Sequence, residues 1–372
     1  METKKIIVIG VGNNGKNVIN YIYESFSDAS NDFYKDNVNL CLIDIDKNTI
    51  GESKIYDNIF LENEKNKNVS DVFLTKEEVT TVVNNSKERV RSKIRDFDII
   101  FAVAGIGGNT SSTVINLICD ICREENKILI LNVLKPFSFE NKKRKDNFIF
   151  SLNEIKDKTN GILVISNERN LGYSNFPLKK VLENSYKKIF NNIKAIVDLI
   201  LKKGIIAMDF LELKDFFRKS NFLSIGNSFE YDQGKISEAI DEALFSQFSE
   251  IDISEAKRII CVINSYNDIF FNDVDNCLKL ISNKVSEAEV KIVVLTDKNV
   301  KPGKININII GNNFKENSTN NYFVLENESS KIKDMINVMN GIFENSKNEV
   351  VEEKDILPFF IKEPNNKYGS KK

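Results

Sequence analysis

The 372-residue sequence predicts an α/β fold in which a parallel-sheet domain is joined by one long helix to a smaller α/β domain. The apolar runs at 99–103 and 128–134 do not alternate with polar residues, which suits a parallel sheet covered on both faces. Apolar residues recur at helical spacing from Leu178 to Leu201, and Lys202-Lys203-Gly204 is a typical helix end. Strand and helix patterns then restart and continue to residue 310, which predicts the second domain.

Composition limits the classes of function. Hydrophobic residues make up 41% and charged residues 28%, as in soluble globular proteins, and a net charge of −2 gives no bulk attraction for nucleic acid. No apolar run approaches the ~18 residues of a membrane span, so we expect a cytoplasmic protein without direct membrane insertion. The five cysteines lie in apolar elements, which favours reduced, buried thiols. Because the chain has no histidine, any chemistry must use carboxylates, lysine, a bound metal or water, and no metal site of protein side chains is predicted.

A first glycine turn, GVGNNG at 10–15, follows a predicted strand at 5–9 and precedes a predicted helix at 16–26. Strand, G-x-G-x-x-G and helix together form the Rossmann-type dinucleotide fingerprint. The next strand, at 40–45, leads to Asp46, farther along the chain than the ~20 residues of that fingerprint, so an NAD-dependent oxidoreductase is the weaker interpretation. The glycines alone are also compatible with a plain tight turn.

A second glycine turn, with Gly105, Gly107 and Gly108, follows the predicted central strand at 99–103. Hydroxyl residues come next, and a helix leads to the strand at 128–134. A turn that passes from the carboxyl end of a strand into a helix leaves backbone N–H groups unpaired and able to bind an anion. The sequence therefore predicts a phosphate site at this turn.

Periodicity and turn residues predict the remaining elements. We expect one helix at 70–95, and a polar, hairpin-like patch after Arg144 before a strand at 161–166. In the second domain we expect a helix after residue 208, strands at 222–225, 256–263, 290–295 and 305–310, and helices at 236–245 and 272–282. The predicted domains are 1–177, the connecting helix 178–203, 204–315, and a tail at 316–372.

Motifs in order along the chain resemble those of the tubulin/FtsZ superfamily, and of FtsZ proteins in particular. Residues 9–17 stand in the position of the first glycine loop, and AGIGGNTSST at 104–113 resembles the signature AGMGGGTGTG. KPFSFENKKR at 135–144 is similar to RPFxFEGxxR, ISNE at 165–168 to IPND, and the loop at 204–212 to GLxNxDFxD. The resemblance covers about residues 3–311.

The resemblance implies a tubulin/FtsZ-like fold with a GTP or GDP pocket, head-to-tail filaments in bacterial cell division, and recruitment to the division site at the inner face of the membrane. Hydrolysis would be completed when the acidic loop of one subunit enters the nucleotide site of the next, where Asp209 and Glu212 would polarise water and Mg²⁺. The implied nucleotide-binding residues are Gly10, Gly12, Asn13, Asn14, Gly15, Asp46, Gly105, Gly107, Gly108, Asn109, Thr110, Ser111, Glu140, Arg144 and Asn167.

The glycine loops depart from the family pattern. Asn109, Ser111 and Thr113 replace glycines of the signature, and these side chains add bulk over the phosphates. Asn13 and Asn14 make the same change in the first loop. No glycine occurs at 61–69, where the family's γ-phosphate loop is expected, so we expect weakened nucleotide binding.

The base-reading and acidic positions also differ. Tyr186-Lys187 stands where FtsZ proteins carry an Asn/Asp pair that reads the guanine edge. In the acidic loop Ala207 replaces asparagine and Glu212 replaces aspartate. The extra methylene shifts the carboxylate by roughly 1 Å, which can lower a rate ~10²-fold, so hydrolysis is expected to be slow or impaired.

Plainer interpretations stay open for several residues. Asp209 and Glu212 are compatible with a helix cap and a solvated helix acid, and Glu140 with Arg144 form a possible i, i+4 surface pair. The alternative function is a nucleotide-independent pseudo-GTPase that co-assembles with, or regulates, an authentic FtsZ.

The C-terminal region carries a separate motif. We expect a helix at 329–343, a polar linker, and then an apolar island. The island resembles the terminal peptide by which FtsZ proteins bind membrane tethers, through Asp355, Ile356, Pro358, Phe359 and Phe360. An apolar motif on a polar linker favours a partner groove, so a membrane-tether protein is the implied partner, and docking on the chain's own body is the alternative.

Overall fold

A six-stranded, fully parallel sheet organises the first half of the chain. This computed structural model describes residues 4–62, 75–168, 177–218, 220–245, 251–267, 269–285 and 287–314. The sheet consists of β1 (Ile6–Val11), β2 (Val38–Asp44), β3 (Asn58–Phe60), β4 (Ile99–Ala104), β5 (Ile128–Leu134) and β6 (Gly161–Ile165). Its strand order, β3-β2-β1-β4-β5-β6, reverses between β1 and β4. In open α/β sheets a ligand crevice forms at this switch point, outside the carboxyl ends of the strands.

Helices cover both faces of this sheet. They are α1 (Gly12–Ser25), α2 (Asp32–Asn37), α3 (Lys47–Gly51), α4 (Lys76–Asn85), α5 (Lys87–Arg95), α6 (Asn109–Glu124), α7 (Lys142–Ile155) and α8 (Leu178–Leu201). In β1, Ile7 and Ile9 share a core with residues of α4, α5, α6 and α7, whereas Ile6 and Val8 share one with α1 and α8. Burial on both faces explains why the strands appear in the sequence as continuous apolar runs.

A second, mixed sheet follows α8. Its elements are β7 (Gly204–Ile206), α9 (Phe210–Arg218), β8 (Leu223–Asp232), α10 (Ile236–Phe245), β9 (Ala256–Ser265), α11 (Phe271–Lys284), β10 (Glu289–Thr296) and β11 (Lys304–Phe314). The strand order is β7-β10-β9-β11-β8, in which only the β10–β9 pair is parallel. α8 lies between the two sheets, because its apolar residues share one core with Val8 of the first sheet and Val262 of the second.

A buried ion-pair network ties α8 to both halves of the fold. Nζ of Lys202, just after α8, lies 2.9 Å from Oδ1 of Asp198 and 2.6 Å from Oδ2 of Asp297, which follows β10. The hydroxyl of Tyr34 in α2 donates to Oδ1 of Asp198 at 2.8 Å. All residues described belong to one compact unit, and the predicted domain boundaries remain a prediction.

The predicted bounds of β5, α8 and α10 are confirmed, and three other expectations are wrong. The polar patch after Arg144 is helical, because Phe148, Leu152 and Ile155 form a buried stripe on α7. The single helix expected at 70–95 is two helices, α4 and α5, that meet at Ser86. The first helix begins at Gly12, inside the glycine motif. The expectations for 63–69, 329–343 and the peptide at 355–360 lie outside the described residues.

The cysteines are free and buried, as predicted. Burial raises the pKa of the Cys41 thiol to about 12, which leaves it uncharged at neutral pH. Within the described ranges, no helix combines the length and apolarity needed to cross a bilayer.

Candidate nucleotide-binding site

The two glycine turns lie side by side at the carboxyl ends of β1 and β4, which pair along their whole length. A Cβ atom on Gly12 would lie 2.4 Å from Oγ of Ser111. A Cβ atom on Gly105 would lie 2.3 Å from Nδ2 of Asn14. A side chain that follows one turn therefore occupies the space that a Cβ atom would take on the other.

Gly10 and Gly15 allow α1 to approach the sheet closely. A Cβ atom on Gly15 would lie 2.7 Å from the carbonyl carbon of Gly10 and 2.7 Å from the carbonyl oxygen of Val103. Gly12 has a φ of +70°, in the left-handed region that residues with a Cβ rarely adopt. Substitution at any of these three glycines would displace the start of α1.

Two helices start at these turns with features that favour an anion. Neither α1 nor α6 has an acidic residue in its first turn or a side-chain hydrogen bond at its N-cap. Nothing lies within 4 Å of the position that a Cβ atom on Gly108 would take. Asn13 is exposed, and Thr110 is buried in the first turn of α6. Backbone N–H groups and the helix dipole at such ends stabilise a phosphate.

A polar cleft borders the second turn. It has a volume of about 180 Å³ and lies between α4, α6 and α7, with Gly108 and Asn109 in its lining. The loop that the sequence assigns to phosphate is therefore accessible from this cleft.

Glu140 and Arg144 form an ion pair beside the second turn. Nη1 of Arg144 donates to Oε2 of Glu140 at 2.9 Å, and Oε1 of Glu140 accepts the N–H of Phe137 at 2.9 Å. A Cβ atom on Gly107 would lie 3.0 Å from the carbonyl oxygen of Arg144, so the pair adjoins the turn. The i, i+4 pair considered from the sequence is present, and its location also suits contact with a ligand.

Asp46 and Asn167 lie at the same edge of the sheet, after β2 and β6. Oδ1 of Asp46 accepts the N–H of Asn48 at 2.9 Å and so caps α3. Asn167 is 5% exposed, and among the described residues its Oδ1 has no hydrogen-bond partner. An unpaired buried amide oxygen costs about 1–3 kcal/mol, so this position suits a ligand that donates a hydrogen bond.

Tyr186, which stands where FtsZ proteins carry the asparagine that reads the guanine edge, is buried. Its ring lies 6.3 Å from that of Tyr21, measured between centroids. Burial raises the pKa of Tyr186, and a hydrogen bond with the side chain of Asn17 opposes that shift. An aromatic cluster therefore replaces the amide and carboxylate expected for guanine recognition.

Lys16 is a candidate residue that the sequence analysis did not identify. It is 7% exposed in α1, directly after the first glycine turn, and it forms an ion pair with Glu52. The signal that identifies it is the spacing G-x-x-x-x-G-K at 10–16, which in P-loop proteins precedes a lysine that contacts phosphates.

The acidic loop lies at the opposite end of the first sheet. Asp209 precedes α9, and Nζ of Lys4, just before β1, lies 4.8 Å from the ring centroid of Phe210. β1 has 6 residues, so at about 3.3 Å per residue roughly 20 Å separate this loop from the glycine turns.

Asp209 and Glu212 cap α9 within their own chain. Oδ1 of Asp209 accepts the N–H of Glu212 at 2.8 Å, and Oε2 of Glu212 accepts the N–H of Asp209 at 3.3 Å, the reciprocal pattern of a capping box. Nζ of Lys291 lies 2.6 Å from Oε1 of Glu212, and this hydrogen bond lowers the pKa of the glutamate. The capping interpretation describes these contacts, and the catalytic assignment stays a prediction.

The strand order and the paired glycine turns at its switch point define a doubly wound α/β protein with a loop-built ligand site. Residues 5–175 match the family described as Tubulin/FtsZ family, GTPase domain. Over this part the chain is similar to the tubulin/FtsZ family, and its fold is that of the family's solved structures, which favours this resemblance over the oxidoreductase interpretation.

Known relatives are similar at low identity. The "Cell division protein FtsZ" of Haloferax mediterranei is 24% identical over 201 residues, which are 54% of this chain and 53% of that protein. The match thus spans about half the length of this curated relative. An FtsZ variant from M. jannaschii superposes with a TM-score of 0.70 at 22% identity, covering 84% of this chain and 92% of that one. A CetZ protein from Haloferax volcanii, described as a GTPγS-bound protofilament, has a TM-score of 0.70 at 14% identity, covering 89% and 99%. These structures establish the fold.

Proposed function

We propose that the chain binds GTP or GDP at the switch point between β1 and β4 and joins other copies head-to-tail in filaments that act in bacterial cell division. The observation that carries this proposal is the roughly 20 Å between the glycine turns and the acidic loop, at opposite ends of one sheet. One chain cannot bring these elements together. A second copy stacked in the same orientation presents its acidic loop to the turns of the first. Hydrolysis, where it occurs, is then completed by Asp209 and Glu212 across the interface.

The residues at the turns suit a nucleotide. The N–H groups at the starts of α1 and α6 donate hydrogen bonds to phosphate oxygens, and the space beside Gly108 lets a phosphate approach the backbone. The Oδ1 of Asn167, which has no partner among the described residues, accepts a hydrogen bond from the ribose or the base. Within the described ranges, no three acidic or thiol side chains converge on one metal position. Mg²⁺ bound with a nucleotide relies mainly on phosphates and water, and it neutralises phosphate charge.

Nucleotide binding is tested with a fluorescent GTP analogue titrated into purified protein in the presence of Mg²⁺. We expect saturable binding to the wild type, competed by GTP and GDP. Asn167→Ala should raise the Kd about 10-fold while changing stability little, because it removes an oxygen with no partner in the described chain. Asn264→Ala is the matched control, since the Oδ1 of that buried asparagine of the second sheet also has no partner within the described ranges. Absence of GTP and GDP binding at millimolar nucleotide would contradict the proposal.

Assembly is tested by sedimentation and light scattering with and without GTP. Leu211→Glu places a charge on an apolar side chain that is 77% exposed next to the acidic loop, and it should prevent sedimentation without unfolding the chain. Tyr56→Glu, on a side chain that is 98% exposed, controls for added surface charge. Assembly of Leu211→Glu at the wild-type level would contradict the role given to this end of the molecule.

A nucleotide-independent partner of an authentic FtsZ is the second candidate. Two observations favour it: the side chains of Asn14 and Ser111 occupy space next to the glycines, and Asp209 with Glu212 is already engaged inside its own chain. This candidate predicts that the protein co-sediments with an FtsZ from the same cell when its own nucleotide binding is undetectable.

The tail and the location complete the proposal. The peptide with Asp355, Ile356, Pro358, Phe359 and Phe360 binds a membrane-tether protein and recruits the cytoplasmic filament to the division site. Deletion of residues 355–372 should abolish septal fluorescence of a tagged chain while leaving sedimentation in vitro unchanged. Unchanged septal fluorescence would contradict this role.

A further inference from the structure

Lys16 is a buried cation whose partner is exposed. Its side chain is 8% exposed, while that of Glu52, with which its Nζ forms an ion pair, is 68% exposed. Burying an ammonium group is costly, whereas a pair with a solvated carboxylate returns little stability. The ion pair alone is therefore a weak reason to keep a lysine at this position.

Lys16 lies next to the glycine turns. It is the fifth residue of α1, immediately after Gly15. Side chains on a helix lean toward the helix N-terminus, so a lysine at this position can reach along the first turn, where the N–H groups converge, when it leaves Glu52. Arg144, a cation that adjoins the second turn, is already paired with Glu140. Lys16 also ends the spacing G-x-x-x-x-G-K, with Asn17 where the P-loop pattern has a hydroxyl residue.

The contacts around Glu52 allow Lys16 to change partner without loss of local structure. Nδ2 of Asn20, one turn further along α1, donates to the carbonyl oxygen of Glu52 at 3.4 Å, and Oδ1 of Asn20 accepts the N–H of Lys54 at 2.9 Å. Glu24, another turn along, forms an ion pair with Lys54. Three successive positions on one face of α1 therefore hold residues 52–54, and two of them remain when Lys16 turns away.

We propose that Lys16 binds the terminal phosphate of the nucleotide and that Glu52 holds its ammonium group when no phosphate is present. This inference rests on the proposed nucleotide binding and adds a residue for phosphate-number discrimination. When a triphosphate binds, Nζ of Lys16 exchanges the Glu52 carboxylate for a phosphate oxygen, and Glu52 is released to solvent. GTP and GDP are then distinguished by the position of one side chain.

The test compares the Kd values of GTP and GDP for the wild type, Lys16→Met, Glu52→Gln and Lys54→Met. Lys16→Met keeps the apolar stem and removes the charge, so it should raise the Kd of GTP by about 10–100-fold and that of GDP clearly less. Glu52→Gln removes the competing carboxylate and should lower the Kd of GTP severalfold. Lys54→Met breaks only the pair with Glu24 and should leave both Kd values unchanged.

The outcomes separate this inference from the proposed function. If the wild type binds GTP and Lys16→Met binds GTP and GDP as the wild type does, Lys16 only fastens residues 52–54 to α1 and the inference is overturned. The inference is also overturned if Lys16→Met is less thermally stable than the wild type but has the same ratio of the Kd values of GTP and GDP. If the wild type binds neither nucleotide, the proposed function fails first and the inference fails with it.

Discussion

Replacing Lys202 with methionine should destabilise the whole fold, because two buried carboxylates lose their cation. The side chains of Lys202 and Asp198 are each 6% exposed, and that of Asp297 is 12% exposed. Removing one partner of a buried ion pair costs about 3–5 kcal/mol. Against a total stability of about 5–15 kcal/mol, this loss should lower the Tm by roughly 6–10 °C.

The loss of Tm caused by Lys202→Met should become smaller as the pH falls. Burial raises the pKa of Asp198 above its usual value of 3.8, and the loss of Lys202 raises it further. As the pH falls from neutral toward 3.8, the native state takes up a proton at Asp198 that the unfolded state does not yet bind. Protonation removes the unpaired buried charge, so the difference in Tm between Lys202→Met and the wild type should shrink.

Thermal unfolding of both proteins at pH 7.5 and 5.0, followed by calorimetry, measures this effect. Lys203→Met is the matched control, because it removes the same charge from the neighbouring, exposed position. Equal losses of Tm for Lys202→Met and Lys203→Met would refute the reasoning. A loss that stays the same at both pH values would refute the assignment to Asp198.

Two further changes test the second sheet and its contact with α8. Burial lowers the pKa of Lys188 to about 7, so between about pH 7 and 10.5 the unfolded state binds more protons than the native state. The Tm of the wild type should therefore rise relative to that of Lys188→Met from pH 7 to 10. Parallel Tm curves for the two proteins would contradict this. A Cβ atom on Gly226 would lie 1.7 Å from the carbonyl oxygen of Ala243. Gly226→Ala should therefore lower the free energy of unfolding, measured with urea, by about 1–3 kcal/mol or more. Gly234→Ala, with nothing within 4 Å, should stay within about 0.5 kcal/mol, and equal costs would contradict the packing argument.

The sequence predicted the fold best where one physical signal dominates. The strand at 128–134 is buried on both faces, and the helix at 178–201 has an apolar period long enough to read without ambiguity. α7 was missed because it begins with four cations, Lys142 to Lys145, and positive charge is disfavoured at a helix N-terminus. The short elements β3, α2 and α3 depend on contacts with the sheet, so local sequence carries little signal for them.

The site was predictable as far as backbone geometry determines it. Glycine spacing located both turns, because a turn between strand and helix has few conformations. The pairing of Lys16 with Glu52 was not predictable, since it depends on how α3 packs against α1. The capping box at Asp209 and Glu212 satisfies a local sequence rule, so the sequence alone already indicates the cap.

The placement of the glycine turns and the acidic loop at opposite ends of one sheet has a consequence for the growth of the proposed filament. A contact between two unlike surfaces is heterologous, and when successive copies are related by translation it does not close into a ring. The resulting filament is polar, because the surface with the glycine turns is exposed at one end and the surface with the acidic loop is exposed at the other. A monomer therefore binds a different surface at each end of the filament, so the rates of addition at the two ends need not be equal.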